Sequence, residues 1–409
     1  MRRAIIWTAV LAALLILTMS CAVGEDEEIG YAPDDSGDDD DQSGPAAPEF
    51  PPDAPGPYAV GNTTRIFVDE SRIDAFYDLP RTLMTEIWYP VDPEDITDDM
   101  EQDTQRSMLG NWYQLIIWGL GVVFPDMESS GWDMTIGSYR DAPIASAGTF
   151  PVVIFGHGNA TFRYQNPSLC TYLASHGYIV AAADHTGNAM VSPLPERPLI
   201  YNPLRLPYDL TARQDDMRFL LDALELLNEG VPDTKFRWTM DTEHAALIGH
   251  SFGGTIVQEV LRKDERFSAG VTFASPNFPA TDPTRQKGLL TFVGLEDQTL
   301  TALIPIMKLN NVMAPPPKAL VEIKDAGHFT FTDLCEYWPH FYGWGDGCGP
   351  ANSIWDGTPI DFVSLNTAHH IMNTYTTAWL DWLLRGEDTT DVLGDNLYPG
   401  AMHYTPTLE

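Results

Sequence analysis

The chain has 409 residues, of which 44% are hydrophobic, enough to bury a large core in roughly one to three domains. It carries 23 Lys and Arg residues against 58 Asp and Glu residues, a formal net charge of -35. Because phosphate groups would repel so acidic a protein, the composition argues against nucleic acid and anionic membrane surfaces as binding partners.

The first 21 residues have the three-part layout of an export signal. Arg2 and Arg3 form a basic start, Ile5 to Leu17 is an apolar run without charge, and Cys21 ends the segment. The apolar run is too short to cross a bilayer as a helix. We therefore expect residues 1–21 to be a secretory signal peptide, with an uncleaved anchor as the alternative.

The end of this signal resembles that of bacterial lipoproteins, because the small residue Ser20 directly precedes Cys21. The resemblance implies that Cys21 becomes the lipidated first residue of the mature chain. Ala22 follows it, and in that family the absence of Asp at this position accompanies release to an outer membrane. We expect an exported protein, lipid-anchored at the bacterial outer membrane or cell surface, or otherwise periplasmic or secreted. The lipid anchor at Cys21 would be its only membrane contact.

Residues 22–54 are predicted to form a disordered tether. Asp34, Asp35 and the run Asp38 to Asp41 dominate the segment, and no Lys or Arg occurs between Glu25 and Asp53. A segment of this composition cannot bury enough apolar surface to offset the entropy lost on ordering. Repulsion between the like charges extends it further, so the segment would hold a folded domain away from a surface.

After the tether, Arg65 to Val68 and Leu83 to Tyr89 have the pattern of two opening antiparallel strands. A less regular insertion follows at about residues 92–141. Within it, Trp112 to Phe124 is strongly apolar but too short to span a bilayer. The run predicts a helix packed in the core. The alternatives are a lid or acyl-chain wall over an active site, or a surface that touches a membrane.

From Phe150 onward, continuous apolar strands alternate with helices. The predicted strands are Pro151 to Phe155, Tyr178 to Ala183, Ala245 to Ile248, Val271 to Ala274, Leu289 to Val293 and Leu320 to Ile323. The predicted helices are Leu169 to His176, Thr211 to Asn228, a helix after Ser251, and Val363 to Arg385. This alternation indicates an α/β protein with a mostly parallel central sheet and helices on both faces. We assign residues 55–391 to one domain and residues 392–409 to a C-terminal tail.

The strongest chemical signal is the hexapeptide that runs from Gly249 to Gly254, with Ser251 at its third position. It follows a short apolar strand and precedes an amphipathic helix, the setting of a nucleophile elbow. The turn is sharp, so Gly249 and Gly253 remove side chains that would collide there. It lifts the Ser251 hydroxyl clear of the sheet and directs the Phe252 N–H, at a helix N-terminus, toward a developing oxyanion.

A nucleophilic serine needs a base, and the base needs a carboxylate that orients it. Asp297 follows the strand Leu289 to Val293, and we predict it to be the acid, with its neighbour Glu296 as the rival. His328 follows the next strand, after two small residues, and we predict it to be the base. The order of serine, acid and histidine along the chain agrees with the elbow assignment.

A Gly-His-Gly-Asn turn follows the first parallel strand and ends in Asn159. Its backbone N–H is the predicted second oxyanion donor, together with that of Phe252. Loss of one such donor typically costs about 3 kcal/mol in the transition state.

Four cysteines occur in the chain. Cys335 and Cys348 lie close together, and in an oxidising compartment we expect them to form a disulfide that contributes at most about 3 kcal/mol. Cys170 lies in an apolar helical context and is predicted to be a buried, inert thiol. No spacing typical of metal ligands is present.

Together, the segments around Asn159, Ser251 and His328 resemble those of bacterial relatives of platelet-activating factor acetylhydrolase. Dienelactone hydrolases, chlorophyllases and polyester hydrolases are similar but fit less closely. The resemblance extends over most of Gly56 to Asp388 and implies an α/β-hydrolase fold and a calcium-independent lipase or esterase without a cofactor. It makes Ser251 the nucleophile and His328 the base, with Phe252 and Asn159 as the oxyanion donors.

One position departs from that family, whose acid lies on the loop after the strand that follows the elbow helix. Here the corresponding loop carries Asn277. The departure moves the acid to Asp297, as in the polyester hydrolases, and weakens the argument for a phospholipid substrate.

The sequence therefore predicts a serine hydrolase that cleaves carboxylic esters, of a lipid or of a short-chain acyl group, through an acyl-enzyme. A peptidase or amidase of the same fold is one alternative. A non-catalytic surface protein on a hydrolase scaffold is the other. The sequence does not indicate an oligomeric state.

Overall fold

The computed structural model describes residues 54–104, 107, 135–146, 148–195, 197–276, 288–337, 346–353 and 355–409. The predicted signal peptide with Cys21, almost all of the tether, the apolar run Trp112 to Phe124, and Asn277 lie outside these residues. Within the described part of the chain, no helix has both the length and the apolar character needed to cross a membrane.

An 11-stranded sheet forms the centre of the described chain. Its strands are β1 (Ala59–Asp74), β2 (Leu79–Val91), β3 (Gln102–Thr104), β4 (Thr135–Arg140), β5 (Phe150–Gly156), β6 (Ile179–Asp184), β9 (Met240–His250), β10 (Phe267–Phe273), β11 (Gly288–Gly294), β12 (Lys318–Ile323) and β15 (Met402–Thr407). They lie in the order β15-β12-β11-β10-β9-β5-β6-β2-β1-β4-β3. The six strands from β12 to β6 in this order are mutually parallel. Two small hairpins accompany the sheet, β7 (Val191–Pro193) with β8 (Pro198–Ile200), and β13 (Pro350–Asn352) with β14 (Pro359–Asp361).

Helices cover both faces of this sheet. They are α1 (Pro167–Ser175), α2 (Leu206–Asn228), α3 (Phe252–Lys263), α4 (Ile304–Met313), α5 (Leu334–Tyr337), α6 (Leu365–Leu380) and α7 (Thr390–Leu393). Apolar side chains of α1 and α6 pack with one set of strand residues, and those of α2 and α3 pack with the other set. The predicted arrangement of a parallel sheet between two helical layers is confirmed.

Strand β5 shows why the central strands are apolar without alternation. Val153 and Phe155 belong to the core on the α1 and α6 side, whereas Val152 and Ile154 belong to the core on the α2 and α3 side. All four side chains are at most 1% exposed. Because successive side chains in a strand point to opposite faces, a strand that is covered on both faces is apolar at every position.

The two edges of the sheet differ from the parallel centre. The predicted opening strands are confirmed as the antiparallel pair β1 and β2, which are longer than the sequence pattern suggested. At the other edge, β15 pairs antiparallel with β12 from Lys318 opposite Thr407 to Ile323 opposite Met402. Residues 402–407, which lie in the segment predicted to be a C-terminal tail, thus form an edge strand of the sheet. The short polar strand β15 shows no continuous apolar run, so its pairing was not visible in the sequence.

The predicted closing helix, Val363 to Arg385, consists of two parts. Helix α6 ends at Leu380, and a wider π-helical turn, Asp381–Arg385, follows it. Gly386 ends this turn with a positive φ of 69°, a backbone conformation that glycine adopts without steric cost.

A network of buried charges joins the opening hairpin to helix α2. The Asp216 carboxylate accepts hydrogen bonds from Arg81 at 2.9 and 2.7 Å and contacts the His185 ring at 2.9 Å. Arg81 also donates to Asp74, at 2.7 Å. Burial by itself raises the pKa of Asp216, but Arg81 and His185 outweigh it and hold that pKa well below its usual range. The carboxylate is therefore charged in the folded protein and compensates the buried guanidinium.

Asp216→Asn is expected to lower the free energy of unfolding by about 3 kcal/mol, because it leaves buried cationic groups without a full counter-charge. Urea denaturation at neutral pH measures this loss. Asp215→Asn is the matched control, since the neighbouring Asp215 is 46% exposed in its pair with Arg218 and its loss is expected to cost no more than about 0.5 kcal/mol. Equal stabilities of the two variants would contradict this account of the network.

Candidate active site

Ser251 lies at the junction of β9 and α3, as the elbow motif predicts. Its backbone has a φ of 52° and a ψ of -122°, a conformation that residues with a side chain rarely adopt. The Ser251 N–H donates to the Phe273 carbonyl of the neighbouring strand at 2.9 Å, which ties the turn to the sheet. Strand β9 ends at His250 and helix α3 begins at Phe252, so Ser251 alone forms the turn, and it is half-buried.

Gly249 and Gly253 are required by the close approach of backbone segments at this turn. A β-carbon at Gly253 would lie 2.0 Å from the carbonyl oxygen of Gly156, and one at Gly249 would lie 2.5 Å from the carbonyl carbon of Gly253. Backbone atoms cannot rotate away from such a contact as a flexible side chain can. The strand-to-helix turn therefore packs directly against the end of β5, and a side chain at either glycine would collide with backbone atoms.

His328 follows strand β12 and reaches the serine from across the sheet edge. Its Nε2 atom lies 3.0 Å from the Ser251 Oγ atom, although 77 residues separate the two in the chain. The imidazole is almost fully buried, with 3% of the residue exposed. The contact that the sequence predicted between nucleophile and base is formed.

Asp297 occupies the loop after β11 and contacts the other side of the imidazole. Its Oδ2 atom lies 2.8 Å from His328 Nδ1, and its Oδ1 atom accepts the Leu300 N–H at 2.7 Å. The rival Glu296 is exposed, and no contact of its carboxylate with the imidazole is present, whereas Asp297 is buried. The structure thus separates these two adjacent acids, because only Asp297 faces the imidazole.

The charges around His328 favour its protonated form. Burial of the ring by itself lowers the pKa of His328, but the carboxylates of Asp297 and Asp346 outweigh that effect. The pKa of His328 is therefore raised above its ordinary value of 6.5. A proton that the ring accepts from Ser251 is stabilised in this environment.

His250 and Gln165 form a connection that sequence reasoning did not find. The Nε2 atom of His250 lies 3.0 Å from the carbonyl oxygen of His328 and donates to it, because a carbonyl can only accept. The Nδ1 atom of His250 then accepts from the Gln165 side-chain amide at 2.7 Å. Burial, and after it the neighbouring His328, lower the pKa of His250 well below its ordinary value, so the ring is neutral.

The same glutamine also holds the loop after β5. Its Oε1 atom accepts the Gly158 N–H at 2.7 Å and the Thr161 hydroxyl at 2.9 Å. The buried side-chain amide of Gln165 therefore connects the loop that precedes Asn159 to His250, which is the residue before the nucleophile. His250 continues the connection to the loop that carries the base. A single glutamine gives no signal of this role in the sequence, because His250 is distant in the chain.

The two predicted oxyanion donors flank the serine. Phe252 is the first residue of α3, and a β-carbon built at Gly158 would lie 3.5 Å from the Ser251 Cβ atom, so the Asn159 loop is adjacent to the nucleophile. Among the described residues, no carbonyl or side chain accepts the backbone N–H of Phe252 or Asn159. The side chain of Asn159 is oriented by Tyr201, to which it donates at 2.8 Å, and by Asn188, from which it accepts at 3.0 Å.

Arg213 supports both donors from helix α2. Its buried guanidinium donates to the His157 carbonyl at 2.6 Å and to the Asn188 side chain at 2.9 Å. It also lies over the Phe252 ring, 5.0 Å from the ring centre. No sequence pattern connects this helix with the site, because the contact depends on how α2 packs beside α3.

The predicted disulfide and the predicted burial of Cys170 are present in the structure. Cys335 and Cys348 form a disulfide with their Cα atoms 5.3 Å apart, and both are buried. Cys170 is a buried free cysteine, and burial raises the pKa of its thiol well above the ordinary value. Within the described ranges, no group of three or more His, Cys, Asp or Glu side chains is arranged to hold a metal ion.

Two family models match the chain. The model described as "Platelet-activating factor acetylhydrolase, isoform II" matches residues 48–193. The model described as "Alpha/beta hydrolase family" matches residues 152–391, which include Ser251, Asp297 and His328.

The chain is also similar to animal platelet-activating factor acetylhydrolases. It is 25% identical over 221 residues to that of Cavia porcellus, a match that covers 47% of this chain and 51% of that protein. It is 24% identical over 311 residues to that of Bos taurus, which covers 68% of this chain and 67% of that protein. The chain thus spans between about half and about two thirds of the length of these relatives.

A ferulic acid esterase from Streptomyces cinnamoneus has the same fold. Its structure matches with a TM-score of 0.63 at 22% identity, over 86% of this chain and 98% of that chain. The likeness agrees with the predicted parallel sheet and its two helical layers. Because the alpha/beta hydrolase model in addition matches more than half of the sequence, from the first parallel strand to beyond the closing helix, we conclude that the chain belongs to the alpha/beta hydrolase family.

Proposed function

We propose that the protein hydrolyses carboxylic esters through an acyl-enzyme formed on Ser251. The observation that carries the proposal is the unbroken series of contacts from the Ser251 hydroxyl to the His328 imidazole at 3.0 Å and on to the Asp297 carboxylate at 2.8 Å. A serine hydroxyl becomes a useful nucleophile when an imidazole accepts its proton as it attacks. Family membership and the similarity to acetylhydrolases support the same reaction class.

The chemistry follows from the contacts. His328 Nε2 accepts the Ser251 proton while the oxygen attacks the ester carbonyl carbon, and Asp297 holds the Nδ1–H and stabilises the imidazolium. The backbone N–H groups of Phe252 and Asn159 are proposed to donate to the resulting oxyanion. Collapse of the tetrahedral intermediate breaks the ester C–O bond, and His328 returns the proton to the departing alcohol. Water, activated by the same imidazole, then releases the acid from Ser251.

We propose that the acyl substrate is a lipid or a short-chain ester. The similarity to proteins named platelet-activating factor acetylhydrolase supports this class. The acetylhydrolase family model matches residues 48–193, which precede all three residues of the triad, whereas the general hydrolase model includes them. The reaction type therefore has broader support than the acyl group.

Ser251→Ala is expected to reduce hydrolysis of a p-nitrophenyl ester by about 10⁴-fold or more, because a triad without its nucleophile loses nearly all of its catalytic effect. Steady-state kinetics with esters of increasing acyl length measure the loss and the chain-length preference together.

Ser146→Ala is the control, since Ser146 is exposed and its hydroxyl contacts only Asp92 among the described residues. A fluorophosphonate probe should label the wild type and the control but not Ser251→Ala. Equal turnover by Ser251→Ala and the wild type would refute the proposal, and turnover of peptides rather than esters would indicate an amidase.

Asp297→Asn and Glu296→Gln form a matched pair that tests the identity of the acid. The first is expected to reduce kcat by about 10⁴-fold, because the imidazole loses the partner that fixes its tautomer and stabilises its charge. The second removes a neighbouring exposed charge, and we expect its kcat to stay within about threefold of wild type. The reverse order of effects would assign the acid to Glu296.

We also propose that the protein is exported and anchored by a lipid at Cys21. The basic start, the short apolar run and the position of Cys21 support this localisation. In a bacterial host that processes lipoproteins, Cys21→Ser is expected to shift the protein from the membrane pellet to the soluble fraction, as measured by fractionation and immunoblotting. If wild type and variant distribute identically, the anchor is excluded.

A further inference from the structure

Asp346 is a buried carboxylate beside the triad that the mechanism above does not use. Its Oδ1 atom accepts the backbone N–H of His328 at 2.7 Å and that of Gln298 at 3.0 Å. Its Oδ2 atom accepts the backbone N–H of Thr299 at 2.8 Å and also the Thr299 hydroxyl. The residue is 4% exposed. Four donors therefore converge on one carboxylate that has almost no access to water.

These donors belong to two different loops. Gln298 and Thr299 directly follow Asp297 on the loop after β11, whereas His328 lies on the loop after β12. Asp346 thus joins the loop of the acid to the loop of the base through their main chains. This connection is additional to the 2.8 Å contact between the Asp297 and His328 side chains.

The disulfide brings this carboxylate into place. Cys348 lies two residues after Asp346 and is bonded to Cys335, which follows the turn that begins at His328. Gly347 has a φ of 105°, and a β-carbon built there would lie 2.5 Å from the Thr330 backbone nitrogen. The Asp346 segment is therefore packed directly onto the turn that carries the base.

Both backbone polar groups of His328 form hydrogen bonds with buried side chains. Asp346 accepts from its N–H, and the neutral His250 donates to its carbonyl at 3.0 Å. In the described part of the chain, Asp297 contacts its ring, the His250 ring lies with its centre 4.8 Å from that of His328, and the charge of Asp346 acts on the ring from the backbone side. Burial and the neighbouring Asp297 raise the pKa of Asp346 to about 6, so the carboxylate is charged at neutral pH and adds a second negative charge beside the imidazole.

We propose that Asp346 is a positioning residue of the active site, a second carboxylate that aligns the loops of the base and the acid and stabilises the imidazolium form of His328. It does not touch the substrate and exchanges no proton with it. The proton that His328 accepts from Ser251 stays on Nε2, and Asp346 acts through the fixed main chain and through its charge. The inference rests on the proposed esterase function, because it assigns Asp346 a part in that reaction.

Asp346→Asn tests the proposal through the pH dependence of kcat and kcat/KM. The base must be neutral to accept the serine proton, so the rate rises with pH through the pKa of His328. Removal of a nearby negative charge destabilises the imidazolium and lowers that pKa, so the acid limb of the profile is expected to move to lower pH. At the plateau, kcat is expected to fall about tenfold or more, since the imidazolium formed during the reaction loses a charge contact, while KM changes little.

Asp361→Asn is the matched control, because Asp361 is an exposed acid in the same C-terminal part of the chain and its variant removes the same formal charge. Its acid limb is expected to coincide with that of the wild type. An unchanged limb in Asp346→Asn, with or without a fall in kcat, would reduce Asp346 to a structural residue and overturn the proposal.

A second variant covers the case in which Asp346→Asn does not fold. Cys335→Ser with Cys348→Ser keeps the carboxylate but removes the link that holds its segment on the base turn. A shift of the acid limb in the same direction supports the proposal, and a wild-type profile contradicts it. NMR titration of the His328 ring measures the change in the pKa of His328 in the absence of substrate. A wild type without Ser251-dependent turnover would thus refute the proposed function, whereas an unshifted ring titration in Asp346→Asn would refute this inference alone.

Discussion

The contact between His328 Nε2 and Ser251 Oγ, 3.0 Å long, joins two loops that are 77 residues apart in the chain. It exists because parallel strands end at the same edge of the sheet. Strand β9 delivers the serine, β11 delivers Asp297 and β12 delivers the histidine, with β10 between the serine and the acid. The site therefore depends on the order of the strands in the sheet, and the pairing of the buried strands maintains that order.

Buried polar groups behind this contact form hydrogen bonds with other parts of the protein. Gln165, His250, Asp346 and Arg213 are each at most 4% exposed, and each joins segments that are distant in the chain. A buried polar group that loses its partner costs more free energy than an exposed one, so such groups fix the loops in one arrangement. Rigid support of this kind keeps reacting atoms within the distance over which a proton can move.

The acetylhydrolase family and the general hydrolase family match different parts of the chain. Similarity to those proteins is carried in part by residues 48–193, which build the opening hairpin, the edge strands and the Asn159 loop. The triad lies beyond that stretch, within the part matched by the general hydrolase family. A shared fold does not by itself define the substrate of an enzyme, because the walls of the pocket, and not the catalytic residues, set the preference for acyl-chain length.

The sequence alone determined the elements with strong local signals. Continuous apolar runs identified the buried parallel strands, and the glycines around Ser251 identified the turn, because only glycine fits where Gly253 meets the Gly156 carbonyl at 2.0 Å. The tertiary structure decided which of two adjacent acids faces the imidazole. It also decided that residues 402–407 close the sheet, and that Asp346, Gln165 and Arg213 belong to the site. Their roles come from contacts across large separations in the chain, and a side chain carries no local pattern that records which distant loop it will meet.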